Sequence, residues 1–572
     1  MIFKKYLQFL SKREPYQISL ILIISSYIFV PCTISFITDS SLNPQIYTIS
    51  KLQQTKPRLD MHLNNHHKKS FTPISHEENG YLSTILTNTY SPDEVFDGYN
   101  LIMFEQENRK KKGDKIAFLL VADINGNVIA SKEIIKGNYL LADYSAELIN
   151  STTILLRIGS DLTLWNYVKD SIHTLFTLGE GHHHDFEYNP FTNTILALKK
   201  VYTTFPNGTK YRFDEIVEYN REGDSVWSLD IRTFIPPSHW CPYRDMLGKI
   251  ADVTHANSLF WDVETDSIFL NLRNTNTFYK INHKTKEVIW GIGEYGNFSL
   301  FDINGNKRSN LFFHAHSIEK IARNTFILFD NDFHNQTDRM NQQSRMVEIK
   351  INSETMTANE TWSWIAPEQY YCSYWGDADR LPNGNRLGTF GTKNHPNTHV
   401  GARAVEINEE GEIVWELYFE NSDEFTYGIY RMDRLLFSPI FAEEEEMIFS
   451  EEENITIQFK TWYNFRSKWK INGLFSIFLN EKEIITGIHT FNKFWRPTNL
   501  KVELGPLIKG DHNLTLLLQD EGGHNTILSV DILVGVHNTN DRVKTDFFHF
   551  YLGLFCITII FRVLRKKNDH YP

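Results

Sequence analysis

Apolar and polar residues alternate in short runs along most of this chain, and the runs are punctuated by Gly, Asn and Asp. That is the period of strands, whose successive side chains face opposite sides, and of the turns that join them. From Lys115, KIAFLLVADINGNVIASKEI reads as a strand, a Gly-Asn turn and a second strand. The same hairpin returns as EYNREGDSVWSLDI, KINHKTKEVIWGIG and EINEEGEIVWELYF. Trp227, Trp290 and Trp415 hold equivalent places in these copies, and Trp362 or Trp364 stands in a fourth. A Trp repeated at one strand position is first of all a packing residue. Counting hairpins gives about six four-stranded units between Tyr81 and Phe441, the least regular lying around Thr152 to Leu178. Such self-similarity predicts a six-bladed propeller, one sheet per repeat, over 80–441.

Past the acidic runs Glu443 to Glu446 and Glu451 to Glu453, the alternation resumes without the tryptophan hairpin. NITIQFKTWYNF, GLFSIFLNEKEIITGIH, LKVELGPL and HNLTLLLQDEGGHNTILSVDILV have no helical period. About seven short strands over 446–540 predict a small Ig-like β-sandwich, read as a stalk or spacer with no visible chemistry. The fold class is therefore all-β.

The two ends break the pattern. Residues 16–38 (YQISLILIISSYIFVPCTISFIT) are apolar for long enough to span a bilayer and follow Lys4, Lys5, Lys12 and Arg13. A cleaved signal peptide has the same basic start, but no small-x-small cleavage site follows, which favours an uncleaved anchor. Residues 547–564 form a second, shorter apolar span next to Arg565, Lys566 and Lys567. Positive charge outside each span predicts a cytoplasmic N-terminus (1–15) and tail (565–572). The polar linker 39–79 and everything up to the second span are then extracellular or lumenal. Seven N-x-S/T sequons, at Asn150, Asn207, Asn297, Asn335, Asn359, Asn454 and Asn513, agree with an exported glycoprotein. Cys32 and Cys556 lie in the apolar spans, which leaves Cys241 and Cys372 as a disulfide candidate or as two buried thiols. A net charge of −12 excludes a nucleic-acid binder.

Candidate chemistry comes from how the repeats open. HHDFEYNPFTNTILAL, THANSLFWDVETDSIFLNLR, AHSIEKIARNTFILFDND and GDADRLPNGNRLGTFG place His184, His255, His316 and Asp377 at the heads of successive units. In a propeller, equivalent positions surround one axis, so these residues are expected to converge on one pocket. Metal sites usually add carboxylates, whereas oxyanion sites add Arg and Asn donors. Here the company is Asn257, Arg273, Asn274, Asn331, Arg339 and Arg345, which favours an anion.

These same segments resemble the PAPS-independent aryl sulfotransferases. THANSLFWDVETDSIFLNLRNTNTFYKINHKTKEVIWGIG is similar to that family's H-x-N-S strand and hairpin. AHSIEKIARNTFILFDND and SRMVEIKI are similar to its Q-H, F-D-N-G and S-R-A-V segments, and DADRLPNGNRL and ARAVEINEEGEIVWEL to a later blade. The resemblance covers about 80–440. It implies a six-bladed propeller enzyme that moves a sulfuryl group from a phenolic sulfate ester to a phenol through a sulfohistidine, with no cofactor. By motif, His255 and His316 bind the sulfuryl group, Arg339 is the sulfate-binding arginine and Arg345 is structural. His184, Asn257, Arg273 and Asp377 are expected on the pocket wall. The family's nucleophilic histidine lies in a later blade, where this chain has Asp377; His395 and His399 are the nearest alternatives. No G-x-x-x-x-G-K-[ST] loop is present to hold a nucleotide. The other reading is a non-catalytic propeller acting as a surface binding or adhesion protein. A third axial histidine would separate the two.

Overall fold

The computed structural model describes residues 85–205, 208–239, 246–247, 250–334, 342–391, 401–443, 448–449 and 454–535. Both apolar spans, Cys241, Arg339, His395 and His399 lie outside the described residues. Among the described residues there is no α-helix, and so none long and apolar enough to cross a membrane.

Six antiparallel sheets follow one another in a propeller-like series. The second sheet is Ala146–Asn150, Thr153–Ile158, Asp161–Asn166 and Ser171–Thr177. The third is His182–Asn189, Thr194–Thr204, Lys210–Tyr219 and Ser225–Asp230, and the fourth is Ala256–Asp262, Ser267–Leu272, Thr277–Asn282 and Val288–Gly293. The fifth is His316–Ala322, Thr325–Asp330, Arg345–Asn352 and Thr357–Ile365, and the sixth begins with Asp377–Arg380, Arg386–Phe390, Arg403–Ile407 and Ile413–Tyr418. The first sheet is composite. Tyr99–Asn108, Lys115–Asp123 and Val128–Gly137 are joined by the late strand Phe425–Leu435, which pairs along Tyr99–Asn108. Leu86–Thr89 in turn adds an outer strand to the sixth sheet against Ile413–Tyr418. Residues from the inner strands of all six sheets line one narrow cavity.

Trp362, rather than Trp364, is the fourth copy of the repeated tryptophan. Trp227, Trp290, Trp362 and Trp415 pair with Glu218, Lys280, Glu348 and Glu406, each immediately after the extra residue of a bulge in its own, fourth strand. The bulge raises the local twist and turns the indole toward the next sheet. Trp227 lies 4.7 Å from His283, Trp290 6.0 Å from Phe326, and the Arg386 and Arg434 guanidiniums sit 4.3 and 5.0 Å over Trp362 and Trp415. The packing role expected of these residues is therefore borne by specific inter-sheet contacts.

The C-terminal part is a sandwich of a three-stranded and a five-stranded sheet. It begins at Ile440, earlier than the sequence suggests, because Ile440–Glu443 pairs with Ile455–Trp462. It is also no detached spacer. Phe465, Trp469 and Trp495 share one core with Phe96, Trp165 and Trp415 of the repeats, and Phe494 packs on Phe260. Between these rings the sandwich inserts two cations. Lys468 Nζ lies 2.8 Å from Glu147 and 2.5 Å from Glu187. Arg466 pairs with Glu319 and lies 3.3 Å from Asp379. Each of these four carboxylates comes from the first strand of a different sheet. Charge-rich loops of this kind read as solvated in sequence, which is why the insertion escaped it.

Candidate active site

The opening strands of the third, fourth and fifth sheets each carry a bulge near their start. Backbone φ is positive at His184 (+55°), His255 (+48°) and His314 (+54°). Such left-handed geometry is uncommon outside glycine, and with the bulges it re-aims side chains away from plain alternation. His314 is buried, and the charges of Arg273, His255 and His316 all bear on it.

His255 is the most accessible of the cluster, with 18% of its side chain exposed. Its Nδ1 lies 2.6 Å from Asp252 Oδ2, and Arg212 stands 3.2 Å behind that carboxylate. The His255 ring meets the His184 ring edge to face at 5.0 Å. His184 Nδ1 lies 2.5 Å from His183 Nδ1, and His183 Nε2 lies 3.0 Å from Asp214 Oδ1. Thr254 Oγ1 and the Ala256 N–H both donate to the other Asp214 oxygen at 2.6 Å. Burial pushes the Asp214 carboxyl up, but His183, Arg212 and the Ala256 N–H together hold it well below the usual range. Burial, then the charge of His183 and His255, presses His184 well below the usual imidazole range, so its ring is neutral. His182 is turned outward onto Gly179 O and Tyr219.

His316 is engaged at both nitrogens. Nδ1 pairs with Asn331 Oδ1 at 2.6 Å, and Nε2 accepts the Trp375 N–H at 3.3 Å. Asn331 is itself fixed by donating to the Cys372 and Trp375 carbonyls, each at 2.8 Å. Burial, then Arg273, holds His316 neutral as well. Arg273 is 2% exposed; Nη1 donates to Asn274 Oδ1 at 3.0 Å and Nη2 to Ser373 O at 3.3 Å. Tyr430, from the late strand that completes the first sheet, lies 6.3 Å from His184 and 5.9 Å from Trp375, ring to ring. Among the described residues its buried hydroxyl has no hydrogen-bond partner. The structure thus links His184, His255 and Tyr430 through ring contacts, with the charge of Arg273 bearing on the buried, neutral His314 and His316. Such a set donates to, or attacks, an anion. Among the described residues no group of His, Cys, Asp and Glu is placed to hold a metal ion.

Two expected wall residues stand elsewhere. Asn257 spends its amide between sheets, donating to Ala315 O at 3.0 Å and accepting from Asn271 at 2.7 Å. Asp377 lines the carboxylate cavity with Glu319, Asp379 and Asp433, where burial and its acidic neighbours push it up to about 7. Asp185 separates that cavity from the histidines. It accepts from Arg431 Nη1 at 2.9 Å, while Arg431 Nη2 donates to Asn257 O. Arg345, expected to be structural, pairs with Asp330 at 2.9 Å and with Glu360 at 3.3 Å. Cys372 is a free buried thiol, raised by burial to about 12. The sequence reading missed His183, Asp214, Asp252 and Tyr430. The one local signal was the short spacing of Asp252 before His255.

A sequence profile of the Arylsulfotransferase (ASST) family matches residues 98–431, more than half of the chain. No match was found among curated protein sequences. Among solved structures, Kuenenia stuttgartiensis hydrazine synthase is 8% identical over 55% of this chain and 75% of that one, with a TM-score of 0.27. The CARDB domain of a Pyrococcus furiosus protein is 7% identical over 18% of this chain and 96% of that one, with a TM-score of 0.15. The family match spans the repeats that carry His184, His255, His316 and Arg273, and the chain belongs to the arylsulfotransferase (ASST) family.

Proposed function

We propose that the chain is a membrane-anchored, extracytoplasmic aryl sulfotransferase built on a six-bladed propeller. It moves a sulfuryl group from a phenolic sulfate ester to a phenol through a histidine intermediate and needs no nucleotide. The observation that carries this reading is the cluster of His184, His255 and Tyr430 in ring contact, with the charge of Arg273 bearing on the buried, neutral His314 and His316. A sulfate ester brings one negative charge into the site. Arg273 can offset it, and a neutral imidazole keeps a lone pair for the electrophilic sulfur. His255, held at Nδ1 by Asp252, is placed to give a proton to the departing phenolate and take one from the incoming phenol. The apolar spans 16–38 and 547–564 and the sequons support the placement outside the cytoplasm.

The test is transfer from 4-nitrophenyl sulfate to a second phenol, with no nucleotide added. The full-length chain should release 4-nitrophenol and form the new ester, and His255→Ala should lower the rate at least about a hundredfold. Absence of transfer from any aryl sulfate would favour the non-catalytic binding role instead. For topology, glycosidase should reduce the mass of the protein from a glycosylating host. Protease cleavage at the C-terminal tail from outside intact cells would overturn the anchoring.

A further inference from the structure

We propose that His184 is the residue that carries the sulfuryl group, with His183 and Asp214 as positioning residues. This rests on reading the site as a sulfuryl-transfer centre.

The four axial imidazoles are not equivalent. His316 has both nitrogens engaged, by Asn331 and by the Trp375 N–H. His314 is fully enclosed, its ring 5.1 Å from Phe333. His255 leans on the Asp252 carboxylate, the arrangement of an acid/base histidine. His184 alone has a histidine behind it. The charge of the Asp214 carboxylate, 3.0 Å from His183 Nε2, favours the His183 proton on Nε2 and leaves Nδ1 as an acceptor. His184 then donates its Nδ1 proton to His183, and its lone pair sits on Nε2. Among the described residues the hydrogen bond of His184 is made through Nδ1. The His255 ring stands 5.0 Å away, within reach of the oxygen of an ester whose sulfur approaches His184.

The step balances within these groups. Nε2 of His184 forms a bond to sulfur, and the sulfur–oxygen bond breaks with its pair leaving on the phenolate. His255 enters this step doubly protonated, with its Nδ1 proton on Asp252, and gives the phenolate its Nε2 proton. Positive charge arising on the His184 ring spreads through its Nδ1 proton onto His183 and is met by Asp214, as the third member of a triad meets the charge of its histidine. In the second half-reaction His255 removes the proton of the acceptor phenol, whose oxygen bonds to sulfur, and the nitrogen–sulfur pair returns to His184. Asp377, at the head of the sixth sheet, lies in the separate carboxylate cavity and takes no part.

The experiment incubates the full-length chain with 35S-labelled 4-nitrophenyl sulfate and no acceptor, then maps the label. One label per chain is expected, on the peptide containing His182 to His184. His184→Gly should lose the label and lower phenol release at least about a thousandfold. Free imidazole should restore release, because the imidazole fits the vacated space. Glycine suits the +55° φ at this position, so the fold is kept. His183→Gln should keep the label on His184 while lowering kcat, shifting the pH profile and leaving KM unchanged. Label on the peptides of His255, His395 or His399, or label retained in His184→Gly, would overturn the assignment while leaving the transferase reading intact. If the unsubstituted chain releases no phenol from any aryl sulfate, both fall.

Discussion

Asp252 and Asp214 set the roles of two histidines. Each fixes an imidazole through one nitrogen and so decides what the other nitrogen can do. His255, His316 and His184 were legible because the repeat opens on them. Their carboxylate partners were not, because Asp214 reaches His183 from a different strand of its sheet and Asp252 precedes the repeat. Asn257 sits at the bulge of its opening strand, which turns it between sheets, whereas Asp377 shares the repeat's phase on a strand without a bulge and accepts the Met432 N–H. Asp252→Asn should free His255 to hold the wrong tautomer. We expect kcat for aryl sulfate transfer to fall by about 10²- to 10⁴-fold with little change in KM, measured at saturating acceptor. An unchanged kcat would remove Asp252 from the site.

Hairpins of the third to sixth sheets were plain in the sequence, down to the tryptophan beside each bulge. The strands that complete the series were not. Leu86–Thr89 pairs with residues beyond position 400, and Phe425–Leu435 with Tyr99–Asn108; pairings of such separation leave no local signature. The inserted segment that carries Arg466 and Lys468 is the other element missed. Lys468 meets two carboxylates that burial would otherwise penalise. Replacing it with Met strands both. Lys468→Met should destabilise the protein by about 3–5 kcal/mol above about pH 8, read from denaturant midpoints. Lys468→Met with Glu147→Gln and Glu187→Gln should recover most of that loss. A single variant as stable as the parent would show that the pairs are solvated.

For the whole molecule, the repeats and the sandwich are one cooperative body joined by a shared core and a buried charge cluster, a unity the composition shift near residue 446 concealed. The cluster also sets a pH dependence. Burial, opposed by Lys468 but helped by Glu147 and Asp185, lifts Glu187 to about 8, and Asp377 is lifted to about 7. A carboxyl whose folded value lies above its unfolded one holds its proton more tightly when folded. Its stabilising contribution is full below the unfolded value and is lost as pH rises through the folded one. The buried histidines with lowered values have by pH 6.5 already given their full contribution. Tm should therefore fall between about pH 6.5 and 8.5, and Glu187→Gln should flatten the fall. A Tm that rises over that interval would contradict the buried carboxylate cluster. The central claim, however, is chemical: the axial histidines pass a sulfuryl group between phenols through the protein itself. Rapid mixing of the chain with excess 4-nitrophenyl sulfate, without acceptor or nucleotide, tests it most directly. The account predicts a burst of 4-nitrophenol equal to the protein concentration, then a slow phase that an added phenol accelerates. Release without a burst, or release that requires a nucleotide, would contradict it.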